Sequence, residues 1–172
     1  MREVVDKLVE WLRSSVKEAN CKGIVYGLSG GVDSAVIAAL SKLAFNDESL
    51  AIMMPINSSE EDEKDAKLVI DKFKLNAIKV DLSKTYSIFT DSVEKGDNLM
   101  AYANVKPRLR MTTLYYYGQL KNIWLLEQVI NQNLLLDILL NTGIVVLILC
   151  HLWILQRRKF MNLQDFWVFP IK

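Results

Sequence analysis

The sequence is poor in the residues from which metal and thiol sites are commonly built. It contains two cysteines, Cys21 and Cys150, and one histidine, His151, among 172 residues. The cysteines match no metal-ligand spacing and a single histidine cannot form a cluster, so neither residue type points to a metal site. The low cysteine content favours a reducing, cytoplasmic compartment.

The sequence also lacks a strong excess of either charge and an apolar N-terminal run. The net charge is +1 at pH 7, so no general attraction to nucleic acid or anionic lipid is predicted. Residues 1–6 carry acidic side chains and no continuous apolar stretch. A secretory signal is therefore not predicted.

The composition changes abruptly at about residue 122. All six tyrosines and every alanine lie in residues 1–122, whereas three of the four tryptophans lie in residues 123–172. A single evolved domain rarely shows such a change. We therefore predict one domain over residues 1–122 and an aberrant apolar tail over residues 123–172.

Hydrophobic periodicity in residues 1–122 alternates between helical and strand patterns. The predicted order is helix 4–20, strand 23–28, helix 33–44, strand 50–54, helix 59–73, strand 77–80 and helix 98–120. This alternation predicts the α/β class, and right-handed crossovers make it a doubly wound parallel sheet, here expected to be incomplete at its C-terminal end. Ligands in such sheets bind beyond the carboxyl ends of the strands.

A double-glycine segment at the first strand-to-helix junction is the most informative part of the sequence. Its residues are Gly27, Leu28, Ser29, Gly30, Gly31, Val32, Asp33 and Ser34. Adjacent glycines leave backbone N–H groups unshielded, and these form an anion-binding concavity with the helix N-terminus. Ser29 and Ser34 can add hydroxyl donors, whereas Asp33 beside phosphates makes sense if Mg²⁺ lies between them. The alternative is a glycine turn followed by an aspartate helix cap.

The segment lacks the Walker lysine and does not follow the G-x-G-x-x-G pattern. It resembles the loop of the N-type ATP pyrophosphatases, which cleave ATP between the α- and β-phosphates. That superfamily has the adenine nucleotide alpha-hydrolase-like fold and includes NAD synthetase, GMP synthetase, asparagine synthetase and tRNA-thiolating enzymes. The resemblance implies that residues 27–34 bind ATP and that Asp33 holds Mg²⁺.

Two further segments favour the ammonia-dependent NAD synthetases within that superfamily. Residues 53–59 (M-M-P-I-N-S-S) resemble the family segment that lies against the adenine. Residues 104–111 (N-V-K-P-R-L-R-M) resemble the family motif N-[IV]-x-x-R-x-R-M. By motif position, Arg108 is expected to contact deamido-NAD, and its guanidinium suits a carboxylate or phosphate. The alternative for Lys106, Arg108 and Arg110 is a solvated basic face.

The resemblance implies a reaction without a side-chain nucleophile, so no catalytic residue is assigned. The nicotinate carboxylate of deamido-NAD attacks the α-phosphate of ATP, pyrophosphate leaves, and ammonia then displaces AMP. Mg²⁺ offsets the developing charge. The expected partners are deamido-NAD, ATP and ammonia, in a cytoplasmic homodimer that binds no nucleic acid.

The resemblance ends after Asn122. The family continues with G-T-S-N-K-S-E, whose threonine contacts ATP and whose final glutamate holds Mg²⁺, whereas residues 123–133 read I-W-L-L-E-Q-V-I-N-Q-N. Codons for these residues exist that give M-V-V-G-T-S-N-K-S-E when translation starts two bases later, a frame that a single-base insertion or deletion produces. Codons for residues 141–170 likewise exist whose shifted frame gives a stretch typical of the family. We therefore hypothesise a one-nucleotide frameshift near codon 122 and expect a truncated, inactive enzyme.

Two other interpretations remain open. Residues 134–155 are mostly apolar and precede basic residues 157–159, which fits a membrane-tethered fragment. Insertion is the less favoured reading because Asp137, Asn141 and His151 are costly in hydrocarbon. A GMP synthetase subunit or a tRNA thiolase is the other alternative, although the sequence shows neither a broad basic surface nor paired cysteines.

Overall fold

The computed structural model describes residues 2–126 as alternating helices and strands. The elements are α1 (Arg2–Glu18), β1 (Ile24–Gly27), α2 (Val32–Phe45), β2 (Ser49–Met53), α3 (Glu60–Phe73), β3 (Ala77–Lys79), α4 (Ser83–Ser92), α5 (Leu99–Lys121) and β4 (Trp124–Leu125). The three helices and three strands predicted up to residue 80 are all present, with ends displaced by at most two residues. These small shifts are ordinary at frayed element ends.

The ends of α3 show how the sequence sets element boundaries. The Ser59 hydroxyl accepts a hydrogen bond from the Asp62 amide at 3.2 Å and so caps the helix. Four acidic residues occupy its first turn, where they oppose the positive end of the helix dipole. Lys74 ends the helix in the left-handed conformation. The predicted start at a serine cap is therefore confirmed.

The strands form one parallel sheet in the order β3-β2-β1-β4. Val25 pairs with Leu50 and Ala51 pairs with Ala77. On one side β1 pairs with β2, the next strand in the sequence, and on the other side it pairs with β4, which comes much later in the sequence. The direction of winding therefore reverses at β1, which makes its carboxyl end the expected ligand-binding point of this fold.

The core lies on both faces of the sheet, as period-2 alternation requires. Ile24 and Tyr26 pack with residues of α1, α2 and α3 on one face. Val25, Leu50 and Ile52 pack with α5 and the start of α4 on the other. The α/β class with a parallel sheet and helices on both faces is thus confirmed.

Two of these elements, α4 and β4, were not predicted from the sequence. α4 has no buried residue, so it lacks the apolar stripe by which a helix is recognised. β4 has only two residues and is held by main-chain bonds, from the Trp124 amide to the Gly23 carbonyl (2.7 Å) and from the Leu126 amide to the Val25 carbonyl (2.9 Å). β4 lies just beyond the predicted domain boundary at residue 122, and that boundary stays a prediction.

The tail predictions largely fall outside this description. The proposed frameshifted segment from residue 127 onward, including the apolar stretch 134–155, lies outside the described residues. Among residues 2–126, no helix combines the length and apolar character needed to cross a membrane.

Candidate functional site

The double-glycine loop lies at the carboxyl end of β1, as the sequence predicts. Gly31 occupies the N-cap position of α2 with extended backbone angles, φ −69° and ψ 158°. The N–H groups in the first turn of a helix have no intrahelical acceptor, so the head of α2 presents donors beside the loop. This arrangement favours an anion.

The loop is organised by its two serines. Ser34 is buried, and its hydroxyl donates to the Gly31 carbonyl at 2.7 Å. The same oxygen accepts from the Ser29 amide at 3.3 Å and lies 3.2 Å from the Ser29 hydroxyl, which in turn accepts from the Gly31 amide at 3.3 Å. Ser34 was expected to add a donor toward phosphate, but its single hydroxyl proton is used within the loop. Its geometry indicates a role in holding the loop closed.

Gly30 is the position where the loop requires glycine. Its φ is +85°, and a Cβ there would lie 2.8 Å from the Asp62 carbonyl oxygen and 3.0 Å from the Ala66 amide nitrogen. Both contacts are with the backbone of α3, which cannot move aside as a flexible side chain would. Gly30 thus lets the loop pack directly against α3.

The loop forms one wall of a cleft of about 410 Å³. The residues that line it are Gly27, Leu28, Ser29, Gly31, Ile52, Met53, Met54, Pro55, Ser58, Asp62, Glu63, Ala66 and Arg110. The structure therefore brings the glycine loop together with the segment that follows β2, two regions that the sequence singled out separately. A cleft that combines main-chain donors with apolar side chains suits a nucleotide.

Asp33 lies at the head of α2 and is exposed to solvent. It is not among the residues that line the cleft. Within residues 2–126, no group of three or more metal-binding side chains occurs. Asp33 is therefore a single carboxylate beside the loop, available to solvent and to a ligand at the head of α2.

The basic residues of α5 separate into different environments. Arg108 is exposed and its Nη1 donates to the Asn104 carbonyl at 2.6 Å. Lys106 lies over the Tyr86 ring, 5.4 Å from its centroid. Arg110 is half-buried, lines the cleft, and donates from Nε to the Met54 carbonyl at 3.1 Å. The three residues therefore do not form one solvated basic face.

Arg110 is the cleft residue that sequence reasoning missed, because Arg108 was assigned from the motif position. Residues two apart on a helix point in different directions. The pattern therefore indicated two roles without showing which arginine faces the cleft. Arg108 does not line the cleft, and its assignment to deamido-NAD stays a prediction.

The side of the cleft formed by α3 is acidic. Asp62 and Glu63 lie in the first turn of α3. Glu63 forms an ion pair with Lys79 at the end of β3, with Nζ and Oε2 2.7 Å apart. The cleft thus has an acidic side at α3 and donors at α2 and α5.

Comparison with known proteins finds similarity to NAD synthetases in each case. The family model described as NAD synthase matches residues 4–129. An NH3-dependent NAD+ synthetase from Finegoldia magna is 46% identical over 117 residues, which is 68% of this chain and 48% of that protein. The corresponding protein from Carboxydothermus hydrogenoformans is 48% identical over 120 residues, covering 67% of this chain and 49% of that protein. The chain spans about half the length of the curated relatives it matches.

The fold comparison agrees. The solved NH3-dependent NAD synthetase from Campylobacter jejuni, in complex with a nitrate ion, superposes with a TM-score of 0.68 at 30% identity, covering 72% of this chain and 54% of that one. The matched family model covers the glycine loop, the segment after β2 and the arginine motif of α5 together. On these grounds the chain belongs to the NAD synthase family.

Proposed function

We propose that this chain is the ATP-binding half of an ammonia-dependent NAD synthetase. The observation that carries the proposal is the double-glycine loop at the carboxyl end of β1, which shares one cleft with the segment after β2. The phosphates of ATP occupy the head of α2, where N–H groups lack acceptors. The adenine lies against Met53, Met54 and Pro55.

The proposed chemistry requires positioning and charge neutralisation rather than a nucleophilic side chain. The carboxylate oxygen of deamido-NAD attacks the α-phosphorus of ATP, and the bond to pyrophosphate breaks. Ammonia adds to the resulting acyl adenylate and AMP leaves with the electrons of the cleaved bond. In this scheme the loop amides and the α2 head stabilise the charge that develops on the phosphate oxygens.

Mg²⁺ fits the proposed site through Asp33. A single exposed carboxylate beside bound phosphates suits Mg²⁺, which keeps several waters and takes other ligands from the phosphates. Bound Mg²⁺ would supply neutralisation of negative charge on the leaving pyrophosphate. Asp33 would hold it there while the loop amides hold the phosphate oxygens.

The proposed assembly is a cytoplasmic homodimer. Support comes from large apolar side chains that lie exposed on α5, among them Leu99, Tyr116 and Leu120 at 80%, 62% and 61% exposure. Such residues are common in interfaces between chains. The deamido-NAD contact expected at Arg108 is part of the same proposal.

We further propose that the chain as written does not complete the reaction. Residues 123–133 contain neither the threonine nor the glutamate of the family's G-T-S-N-K-S-E motif. Sequencing the DNA around codon 122 tests the frameshift directly. The hypothesis would be refuted if no single insertion or deletion near codon 122 restored the motif.

ATP binding by the full chain tests the proposed function. Gly30→Ala should weaken ATP binding by about tenfold or more and destabilise the fold by about 1–3 kcal/mol, because Ala at φ +85° is strained and meets the α3 backbone. Calorimetric titration and denaturant unfolding measure the two effects.

Gly31→Ala is the matched stability control in the same loop. Its Cβ would meet nothing closer than the Ser29 hydroxyl at 3.5 Å, and its φ is −69°. The unfolding free energy should change by less than about 1 kcal/mol, since reduced chain entropy and a poorer N-cap oppose each other. A wild-type chain without measurable ATP binding contradicts the proposal.

A further inference from the structure

Arg110 connects the middle of α5 to the segment after β2. Its Nε donates to the Met54 carbonyl at 3.1 Å across 56 positions of sequence. This bond uses one of the five N–H donors of the guanidinium. Among residues 2–126, the two terminal nitrogens of Arg110 have no hydrogen-bond or ion-pair partner, although the side chain lines the cleft.

The charges around the cleft determine where an anion can lie. Asp62 and Glu63 make the α3 wall repulsive to phosphate, even with Glu63 paired to Lys79. In the part of the chain that the structure describes, Arg110 is the one basic side chain lining the cleft. Phosphate is therefore drawn toward the α2 head and Arg110, and away from α3.

We infer that Arg110 binds a phosphate group of the nucleotide through its terminal nitrogens, while its Nε bond to Met54 fixes the direction of the guanidinium. A planar fork with two free N–H edges matches phosphate oxygens, and one already immobilised loses less conformational entropy on binding. This inference rests on the proposed function and adds a binding residue that the motif position did not identify.

The partial burial of Arg110 also favours binding of an anion beside it. Desolvation lowers the pKa of Arg110, which means that keeping its charge costs free energy at this half-buried position. A phosphate beside the guanidinium offsets that cost. Arg108, in contrast, is exposed to solvent.

Binding of ATP and of adenosine by the full chain separates a phosphate contact from a purely structural one. Arg110→Gln should weaken ATP binding by about 10- to 100-fold, as expected for loss of a charged hydrogen bond, and leave adenosine binding within about twofold. Arg110→Lys should recover part of the loss, because the charge remains while the fork is absent. Calorimetry with ATP, adenosine and inorganic pyrophosphate measures each affinity.

Arg13→Gln is a matched control outside the cleft. Arg13 also donates to backbone carbonyls of another element, from Nε to Ala44 and from Nη2 to Leu43, both at 3.0 Å. Its replacement should lower stability and leave ATP affinity within about twofold.

The outcomes distinguish the proposed phosphate contact of Arg110 from the proposed function of the chain. Equal loss of ATP and adenosine binding in Arg110→Gln, or no loss of either, overturns the phosphate contact while the proposed function stands. A wild-type chain that binds neither ATP nor pyrophosphate overturns both. Selective loss of ATP and pyrophosphate binding supports the inference.

Discussion

The two ends of the sheet use their polar groups differently. At the amino ends, the Asn122 carbonyl accepts from the Lys22 amide at 3.0 Å, and its side chain donates to the Asn20 carbonyl at 3.3 Å. The Ser49 hydroxyl likewise donates to the Asn46 carbonyl at 3.0 Å. At the carboxyl ends, the loop after β1 satisfies part of its backbone internally and the head of α2 retains donors.

Polar groups at the amino ends of the strands therefore stabilise the fold, whereas those at the carboxyl ends are available to bind a ligand. Polar groups at the amino ends join the connecting segments, in one case across 102 positions of sequence, and several of the connecting residues are asparagines with positive φ: Asn20, Asn46 and Asn122. Asparagine tolerates this conformation better than most residues. At the carboxyl ends Asn57 also has a positive φ, but the loop after β1 uses Gly30 at φ +85° and is followed by α2 amides that lack intrahelical acceptors. This arrangement favours an anionic ligand.

The largest expected effect is at the amino end. A Cβ on Gly23 would lie 1.9 Å from the Glu48 carbonyl oxygen, so Gly23→Ala must separate the start of β1 from the turn before β2. We expect a loss of about 3 kcal/mol in unfolding free energy, measured by denaturant titration. ATP affinity of the folded chain should stay within about twofold, because the site lies at the opposite end.

Gly96→Ala provides the control for Gly23→Ala. A Cβ on Gly96 would meet no atom within 4 Å, so its stability should be unchanged. A cost of less than about 1 kcal/mol for Gly23→Ala would contradict the predicted clash. Loss of ATP binding in a folded Gly23→Ala chain would show that the two ends of the sheet are not independent.

A smaller effect is expected from two buried serines of α2. Ser34→Ala removes the hydroxyl that donates to Gly31 and accepts from Ser29, so it should cost about 1–2 kcal/mol and weaken ATP binding about fivefold. The Ser41 hydroxyl is also buried, but it has no hydrogen-bond partner within the described residues. Ser41→Ala should therefore be neutral or slightly stabilising, by up to about 0.5 kcal/mol. Equal losses in the two variants would contradict the proposed role of Ser34 in the loop.

The sequence was informative about the site where the relevant contacts are local. The loop of residues 27–34 follows a buried strand and precedes a helix, so its position at the strand end follows from pattern alone. The bond of Arg110 to Met54 spans 56 positions, and no periodicity reveals it. The exposed α4 and the two-residue β4 were missed for a related reason, since neither carries an apolar pattern of its own.

The smallest expected effect concerns a polar connection at the carboxyl ends. Asp81 follows β3, and its carboxylate accepts from the Ser83 amide at 2.8 Å. The Ser83 hydroxyl accepts from the Asn57 amide at 3.1 Å and so joins the start of α4 to the cleft segment after β2. The hydrogen bond to the Ser83 side chain, that to its backbone, and nearby Lys79 lower the pKa of Asp81.

A carboxyl group whose pKa is lower in the folded chain than in the unfolded chain stabilises the fold at pH values above its unfolded-state pKa. This stabilisation is lost as the pH falls through its folded-state pKa. The wild-type chain should therefore lose a small part of its stability below about pH 4, and Asp81→Asn should flatten that portion of the profile. Ser83→Ala should raise the pKa of Asp81 toward its ordinary value, as followed by NMR titration of the carboxyl carbon. An unchanged pKa in Ser83→Ala would show that the carboxylate does not depend on this connection. If Ser83→Ala shifts the pKa of Asp81 but leaves ATP affinity unchanged, some polar groups at the carboxyl ends stabilise the fold without binding ATP. The groups proposed to bind ATP would then be those of the α2 head and Arg110.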